Sequence, residues 1–230
     1  MRDVRVLAQP AAEAADVLVR HAAAGGHVAL TGGSTPGEAY RRAARADADW
    51  SGATLWFGDD RCVAPDDERS NFRMARETLL DAIEGPAPAV ERILGERGPE
   101  AGAEDYEARL RGVFGAGMPE LDLVLLGLGP DGHCASLFPG RPELEVVDRL
   151  AVGVPEAGLE PFVPRVTLTL PVINAAREVV FLVTGEGKAR AAARAFGGEA
   201  TPDVPASLVD PASGSLTILV DPPAAAGLRA

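Results

Sequence analysis

The stretch LDLVLLGLGPDGHCASLFPG, residues 121–140, decides how this chain is read. Its first half, LDLVLLGLG (121–129), is a continuous apolar run, the pattern of a strand buried on both faces within a parallel sheet. Its second half carries two overlapping signals. Gly127-x-Gly129-x-x-Gly132 has the spacing of a dinucleotide-binding loop, whereas Asp131-Gly132-His133 sets a carboxylate and an imidazole on a turn. A dinucleotide loop opens a long helix and is followed about 20 residues on by an acidic residue ending the next strand. Here Gly132 leads into HCASLFPGRP, where Pro139, Gly140 and Pro142 leave room for a turn or two of helix. The glycines therefore read as a tight turn, and nicotinamide chemistry is set aside. His133, with Asp131 two residues before it, remains as the composition of a general base. His21 and His27 fall at the end of a helix and the start of a strand and read as structural. Cys134 is not read as a nucleophile, because adjacent residues on a turn point apart.

Outward from this stretch, short apolar runs alternate with Ala-rich helical patterns. HVALTGG (27–33), TLWFGDD (54–60), REVVFLVTG (177–185) and SLTILVD (215–221) read as strands. PGEAYRRAARA (36–46), NFRMARETLLDAI (71–83), EDYEARLRGVF (104–114) and KARAAARAFGG (188–198) read as helices. The expected fold is α/β: a doubly wound, mainly parallel sheet with helices on both faces, Rossmann-like, in a single domain over residues 1–230. Residues 142–171, punctuated by Pro155, Pro161, Pro164 and Pro171, break the rhythm and read as an antiparallel excursion or edge hairpin. GPAPAVERI (85–93) and the Gly-rich 98–103 read as loops.

Composition narrows the function classes. The chain has 22 basic and 34 acidic residues, a formal charge of −12, which disfavours nucleic acid and anionic membranes as partners. No run of about 18 apolar residues marks a membrane span, and charges interrupt the N-terminal segment where a secretory signal would need an apolar core. Two cysteines, Cys62 and Cys134, imply neither a disulfide framework nor a zinc site, so a cytoplasmic setting without metal is expected.

In such sheets ligands bind beyond the carboxyl ends of the strands. After the strand at 27–31, Gly32, Gly33, Ser34 and Thr35 read as an anion-binding turn, with Thr35 and Glu38 as a capping box and Pro36 in the first helical position. After the strand at 54–58, Asp59, Asp60 and Arg61 suit phosphate binding or the orienting of a carboxylate, although spacing alone favours a solvated surface cluster. Ser70 or Asn71 reads as a helix cap. After the strand at 179–184 comes Lys188, the only lysine in the chain. It stands at a helix N-terminus, where a cation is disfavoured unless an anion is near.

GGSTP, WFGDDRCVAPDDERSN, GLGPDGHCASLFPG and RVTLTLPVINAAREVVFLVTGEGKA, in this order, resemble the 6-phosphogluconolactonase family. The wider superfamily includes glucosamine-6-phosphate deaminases, which carry Glu in an F-N-E-P run where this chain has Phe138 in S-L-F-P. A sugar-phosphate sensor is a further relative class. Two positions depart from the lactonase pattern: Asp60 where Glu is more usual, and Cys134 where Thr is more usual. The resemblance implies cofactor-free hydrolysis of 6-phospho-D-glucono-1,5-lactone, with His133 as general base and Asp131 or Asp59 orienting it. It implies Arg61 or glycine amides at the oxyanion. Gly33, Ser34 and Thr35, with Arg165 and Lys188, would then hold the phosphate, in a monomer or homodimer.

Overall fold

The structure, a computed structural model, describes residues 2–228. Its main element is a seven-stranded, all-parallel sheet in the order β1-β10-β9-β6-β2-β3-β5. The strands are β1 (Arg2–Val6), β2 (His27–Leu30), β3 (Thr54–Phe57), β5 (Ala89–Val90), β6 (Leu123–Leu126), β9 (Glu178–Val183) and β10 (Ser215–Val220). β6 lies between β9 and β2 and is buried at all four residues, as its unbroken apolar run requires. From β2 the chain passes to β3 on one side, and from β6 to β9 on the other. The switch point of the sheet therefore lies between the carboxyl ends of β2 and β6, where a ligand crevice belongs.

The second sheet is antiparallel, in the order β4-β8-β7, from β4 (Asp59–Arg61), β7 (Ala151–Val154) and β8 (Arg165–Leu168). The segment expected as an excursion thus forms a small sheet of its own, and it recruits part of TLWFGDD. That stretch is not one strand: Gly58 breaks it, with Thr54–Phe57 in the parallel sheet and Asp59–Arg61 in the antiparallel one. The break places Asp59 and Arg61 on the same pleat side as their register partners Thr167 and Arg165, with Asp60 on the other.

Among the helices, α1 (Pro10–Ala23) packs on α2 (Ser34–Ala43), and α4 (Pro99–Phe114) lies against β7 and β8. α3 (Asn71–Thr78) stops short of the expected 83, giving way to a 3-10 turn, Leu80–Ala82. The Gly-rich 98–103 is mostly the first turn of α4, started by Pro99 at its first position, and 85–93 contains β5. The capping box does not form. α2 begins at Ser34 on Gly33, which has φ 113°, and no side chain caps it.

The chain has two tyrosines, and both do the same job. The Tyr40 hydroxyl on α2 donates to the Thr31 carbonyl (2.8 Å) and accepts from the Thr31 amide (2.9 Å), just past β2. The Tyr106 hydroxyl on α4 does likewise for Phe57, the last residue of β3, at 2.9 and 2.7 Å. Each satisfies two backbone groups where the ladder runs out and fixes the strand end from which site residues depart. Tyr106→Phe orphans both buried groups of Phe57 and should lower unfolding free energy by about 2–4 kcal/mol in urea titrations. A loss under about 0.5 kcal/mol would show that the clamp contributes nothing.

Candidate active site

The crevice at the switch point is a cleft of about 230 Å³. Thr31, Gly32 and Gly33 enter it from the end of β2, Asp59 and Arg61 from β4, and Gly127–Pro130 and His133 from the turn after β6. Asn71, Arg165 and Lys188 complete its polar wall, with Leu159 and Glu160 at one side.

The turn after β6 explains the glycine spacing. Gly129 donates its amide to the His133 carbonyl (2.8 Å), and the Gly132 amide donates to the Gly129 carbonyl (3.0 Å). A Cβ at Gly129 would collide with the His133 ring and lie 2.6 Å from the Asp131 carboxylate. Gly132 has φ 96°, a region closed to most side chains. Two of the three glycines are thus required by the His–Asp pair and the turn that displays it.

His133 Nδ1 lies 2.6 Å from Asp131 Oδ1, which also accepts the His133 amide at 3.1 Å. Burial opposes ionisation of Asp131, but the hydrogen bond and charge of His133 outweigh it, so the carboxyl sits below the ordinary carboxylate range. The ring packs on Phe138 at 4.6 Å between centroids, and the Arg165 guanidinium lies over the same Phe138 ring at 5.2 Å. Phe138 therefore fixes the imidazole and the cation together.

Three cations border this pair. Arg61 and Arg165 are register partners across β4 and β8, an arrangement of like charges that costs energy in an empty sheet. Arg61 Nη1 donates to the Arg69 carbonyl (2.7 Å), and Arg165 Nη2 to the Leu159 and Pro161 carbonyls (2.9 and 3.1 Å). The Nε of each is buried without a partner. Lys188 precedes α5 (Ala189–Gly197), in a turn following Gly185. Burial pushes its ammonium down from the ordinary value, and the Asp131 charge partly restores it. Among the described residues no carboxylate lies within ion-pair distance of Arg61, Arg165 or Lys188, although thirteen other arginines are so paired.

The acids beside Arg61 are not a solvated cluster. Asp59 and Asp60 are 4 % and 3 % exposed. Asp59 does not touch the imidazole: its Oδ2 accepts from Ser136 Oγ (2.6 Å) and its Oδ1 from Asn71 Nδ2 (3.2 Å). Of the three aspartates, Asp131 alone is hydrogen-bonded to His133. Asp60 instead serves the start of α3, accepting from the amides of Arg61, Asn71 and Phe72 and from Ser70 Oγ. Its shorter side chain is accounted for by that cap, and Ser70 caps the same helix through the Arg73 amide.

Ser34 and Thr35 do not join the cleft. They line an adjoining pocket with Gln9, Glu38, Arg42 and Asp221, and Thr35 Oγ1 is bound to Thr184 Oγ1 at 2.6 Å. The glycine turn reaches the cleft through Gly32 and Gly33 only, because α2 begins at Ser34 and rotates the two hydroxyls away. Asn71, expected only as a cap, is a cleft residue; its helix-start position masked it. His21 and His27 are bound to Glu178 and Trp56 and do not line the cleft.

Fold and site define an α/β protein with an acid–base pair beside three cations outside ion-pair distance of any described carboxylate, at its switch point. The family model described as glucosamine-6-phosphate isomerases/6-phosphogluconolactonase matches residues 3–218, and the chain belongs to that family. It is 41% identical over 209 residues to a 6-phosphogluconolactonase of Synechocystis, covering 89% of this chain and 85% of that one. It is 42% identical over 173 residues to the human 6-phosphogluconolactonase, covering 75% of this chain and 67% of that one. The solved 6-phosphogluconolactonase from Trypanosoma brucei superposes with a TM-score of 0.84 at 28% identity, over 100% of this chain and 99% of the other.

Both thiols are held in the unreactive form. Burial pushes Cys134 and Cys62 up to about 12. Cys134, fully enclosed, should stay silent to a thiol-selective disulfide reagent at pH 8 in the native protein and react on unfolding. Rapid native labelling of Cys134 would overturn this. For Asp60, burial pushes the carboxyl up to about 6 against four hydrogen-bond donors that favour the anion. With the folded value raised, its contribution to stability is full below about pH 4, the unfolded value, and is lost as pH rises through 6. Asp60→Asn should accordingly become less costly, relative to wild type, between pH 4 and 7, as read from unfolding free energies. A cost that grows over that interval would mean that the four donors outweigh burial.

Proposed function

We propose that this chain hydrolyses 6-phospho-D-glucono-1,5-lactone to 6-phospho-D-gluconate, with His133 as general base, in the oxidative pentose phosphate pathway of the cytoplasm. The observation that carries the reading is the pairing of His133 with Asp131 opposite three cations that no carboxylate among the described residues neutralises.

Asp131 Oδ1 accepts a hydrogen bond from Nδ1–H and so leaves the Nε2 lone pair of a neutral imidazole free. A water held at Nε2 gives up a proton as its oxygen attacks C1 of the lactone. The proton then passes from Nε2 to the ring oxygen as the C1–O5 bond breaks, and the product acid ionises in water. Asp131 stabilises the imidazolium that exists between these transfers. Arg61, Arg165 and Lys188 share the charge of the substrate phosphate and of the carbonyl oxygen in the tetrahedral intermediate, with the Gly32 and Gly33 backbone alongside. An activated ester with an oriented water and base needs no redox or metal partner group from the protein.

Phe138 supports the lactonase reading over the deaminase one. Its position holds an apolar ring against His133, where a deaminase-type Glu would supply a second acid for ring opening. The overall charge of −12 fits a protein that gathers cations only where the substrate sits and repels the anionic product elsewhere.

His133→Ala should reduce hydrolysis of freshly prepared lactone, followed by acid release, to the spontaneous rate. Asp131→Asn should lower kcat by about 10²–10⁴-fold with little change in KM. Glucosamine 6-phosphate should release no ammonia. Lactone hydrolysis that survives His133→Ala would remove the base from the mechanism, and ammonia release would move the chain to the deaminase reading.

A further inference from the structure

We infer that Asn71 is the residue that selects the hydroxyl pattern of the sugar ring, its Oδ1 accepting a hydrogen bond from one ring hydroxyl. This rests on the proposed substrate class, a phosphorylated sugar lactone.

The amide of Asn71 has only one possible orientation. Its Nδ2 donates to the Asp59 carbonyl (2.9 Å) and to Asp59 Oδ1 (3.2 Å), and neither of these atoms can donate in return. Rotating the amide would set Oδ1 against two acceptors. Asp59 cannot turn aside either, because its Oδ2 holds the hydroxyl of buried Ser136 at 2.6 Å. The backbone beneath is pinned as well: the Asn71 amide donates to Asp60 Oδ1 at 2.6 Å, at the first position of α3. Asn71 is 3 % exposed, so the side chain has no room to relax.

Oδ1 is what remains. It accepts no hydrogen bond from the described residues and is not among the fully enclosed polar atoms, and its residue lines the cleft. It stands over Gly32, where a Cβ would collide with the Asn71 amide. Gly32 thus serves a second purpose beyond backbone approach: it clears the space that this oxygen occupies. The donors of the cleft, two guanidiniums, an ammonium and backbone amides, match a phosphate and a carbonyl oxygen, and its carboxylates, Asp59 and Glu160, are charged acceptors, Asp59 already holding Ser136 and Asn71. A ring hydroxyl also brings a proton that must be accepted. A rigid, uncharged acceptor answers that need without repelling the phosphate, as a second carboxylate beside Asp59 would. An immobile acceptor left unpaired by a substrate lacking the hydroxyl is the arrangement that discriminates most sharply.

The test is kcat/KM for 6-phosphogluconolactone and its 2-, 3- and 4-deoxy forms, with wild type, Asn71→Ala and Asn71→Asp. Wild type should disfavour one of the three deoxy forms by roughly 10- to 100-fold more than the others. Asn71→Ala should process that form and the parent within about threefold of each other, its response to the other two unchanged. Asn71→Asp keeps an acceptor, so it should retain the discrimination while losing rate on all four. Asn71→Ser, too short to reach the hydroxyl, makes the same comparison if the alanine variant fails to fold. An equal loss on all four substrates in Asn71→Ala, or no discrimination by wild type, would overturn the inference and leave the lactonase reading standing. If wild type hydrolyses none of the four, the lactonase reading fails. Calorimetric binding of 6-phosphogluconate and its deoxy forms to the same variants then decides Asn71 separately: selectivity lost on removing the amide supports it, and uniform affinity overturns it.

Discussion

The two sheets of this protein meet at Gly58. Its amide donates to the Leu30 carbonyl of β2 and its carbonyl accepts the Leu168 amide of β8, each at 2.8 Å. One residue therefore ends the parallel sheet and begins the antiparallel one. Immediately before it, Tyr106 holds both backbone groups of Phe57. The chain has no freedom at the point where it changes direction, and the direction it takes decides the cleft. On the short strand that follows, the pleat sends Asp59 and Arg61 toward the crevice and Asp60 toward the start of α3. Without the break at Gly58, Asp59 and Arg61 would continue the plane of the large sheet and could not face Arg165.

The second constraint is electrostatic. Besides Glu160 at the side of the cleft, three acids stand in or beside it, and none of the four is within ion-pair distance of its cations. Each of the three is satisfied by a neutral or imidazole donor instead: Asp59 by Ser136 and Asn71, Asp60 by the amides opening α3, Asp131 by His133. Hydrogen bonds from these donors engage the acids and leave the guanidiniums and the ammonium available to a ligand. Leaving Arg61 beside Arg165 with buried, unpaired Nε atoms costs stability in the unliganded protein. Under the proposed function, the substrate phosphate would offset that cost on binding. Elsewhere on the molecule arginines and acids pair in the ordinary way across exposed helix turns.

What could be read ahead of the structure followed the rules that act locally. Unbroken apolar runs such as 121–129 announced a parallel sheet, and a short post-strand segment ruled out a nucleotide loop. The lone lysine and the His–Asp turn pointed to the site, which the structure brings together with Gly32, Gly33, Arg61 and Arg165. Misreadings arose where a tertiary partner overrode the local pattern. TLWFGDD has a continuous strand pattern, but Leu168 competes for the Gly58 carbonyl and divides it. Thr35 has capping-box spacing with Glu38, but Thr184 across the sheet takes its hydroxyl, and Glu38 pairs with Arg42. Asn71 looked like a cap, a role that Ser70 and Asp60 fill while its side chain serves the cleft.

The amino-acid sequence by itself determined the elements, their parallel packing and the chemical types gathered at the strand ends, because burial periodicity and turn chemistry act over a few residues. Only the tertiary structure decided which carboxylate meets which partner. Asp59, Asp60 and Asp131 are chemically alike, and their roles separate only when β4 pairs with β8 and α3 starts against it. Those pairings span from 10 to more than 100 residues of chain. No local pattern encodes contacts at such separations; they follow from how the strands and helices pack.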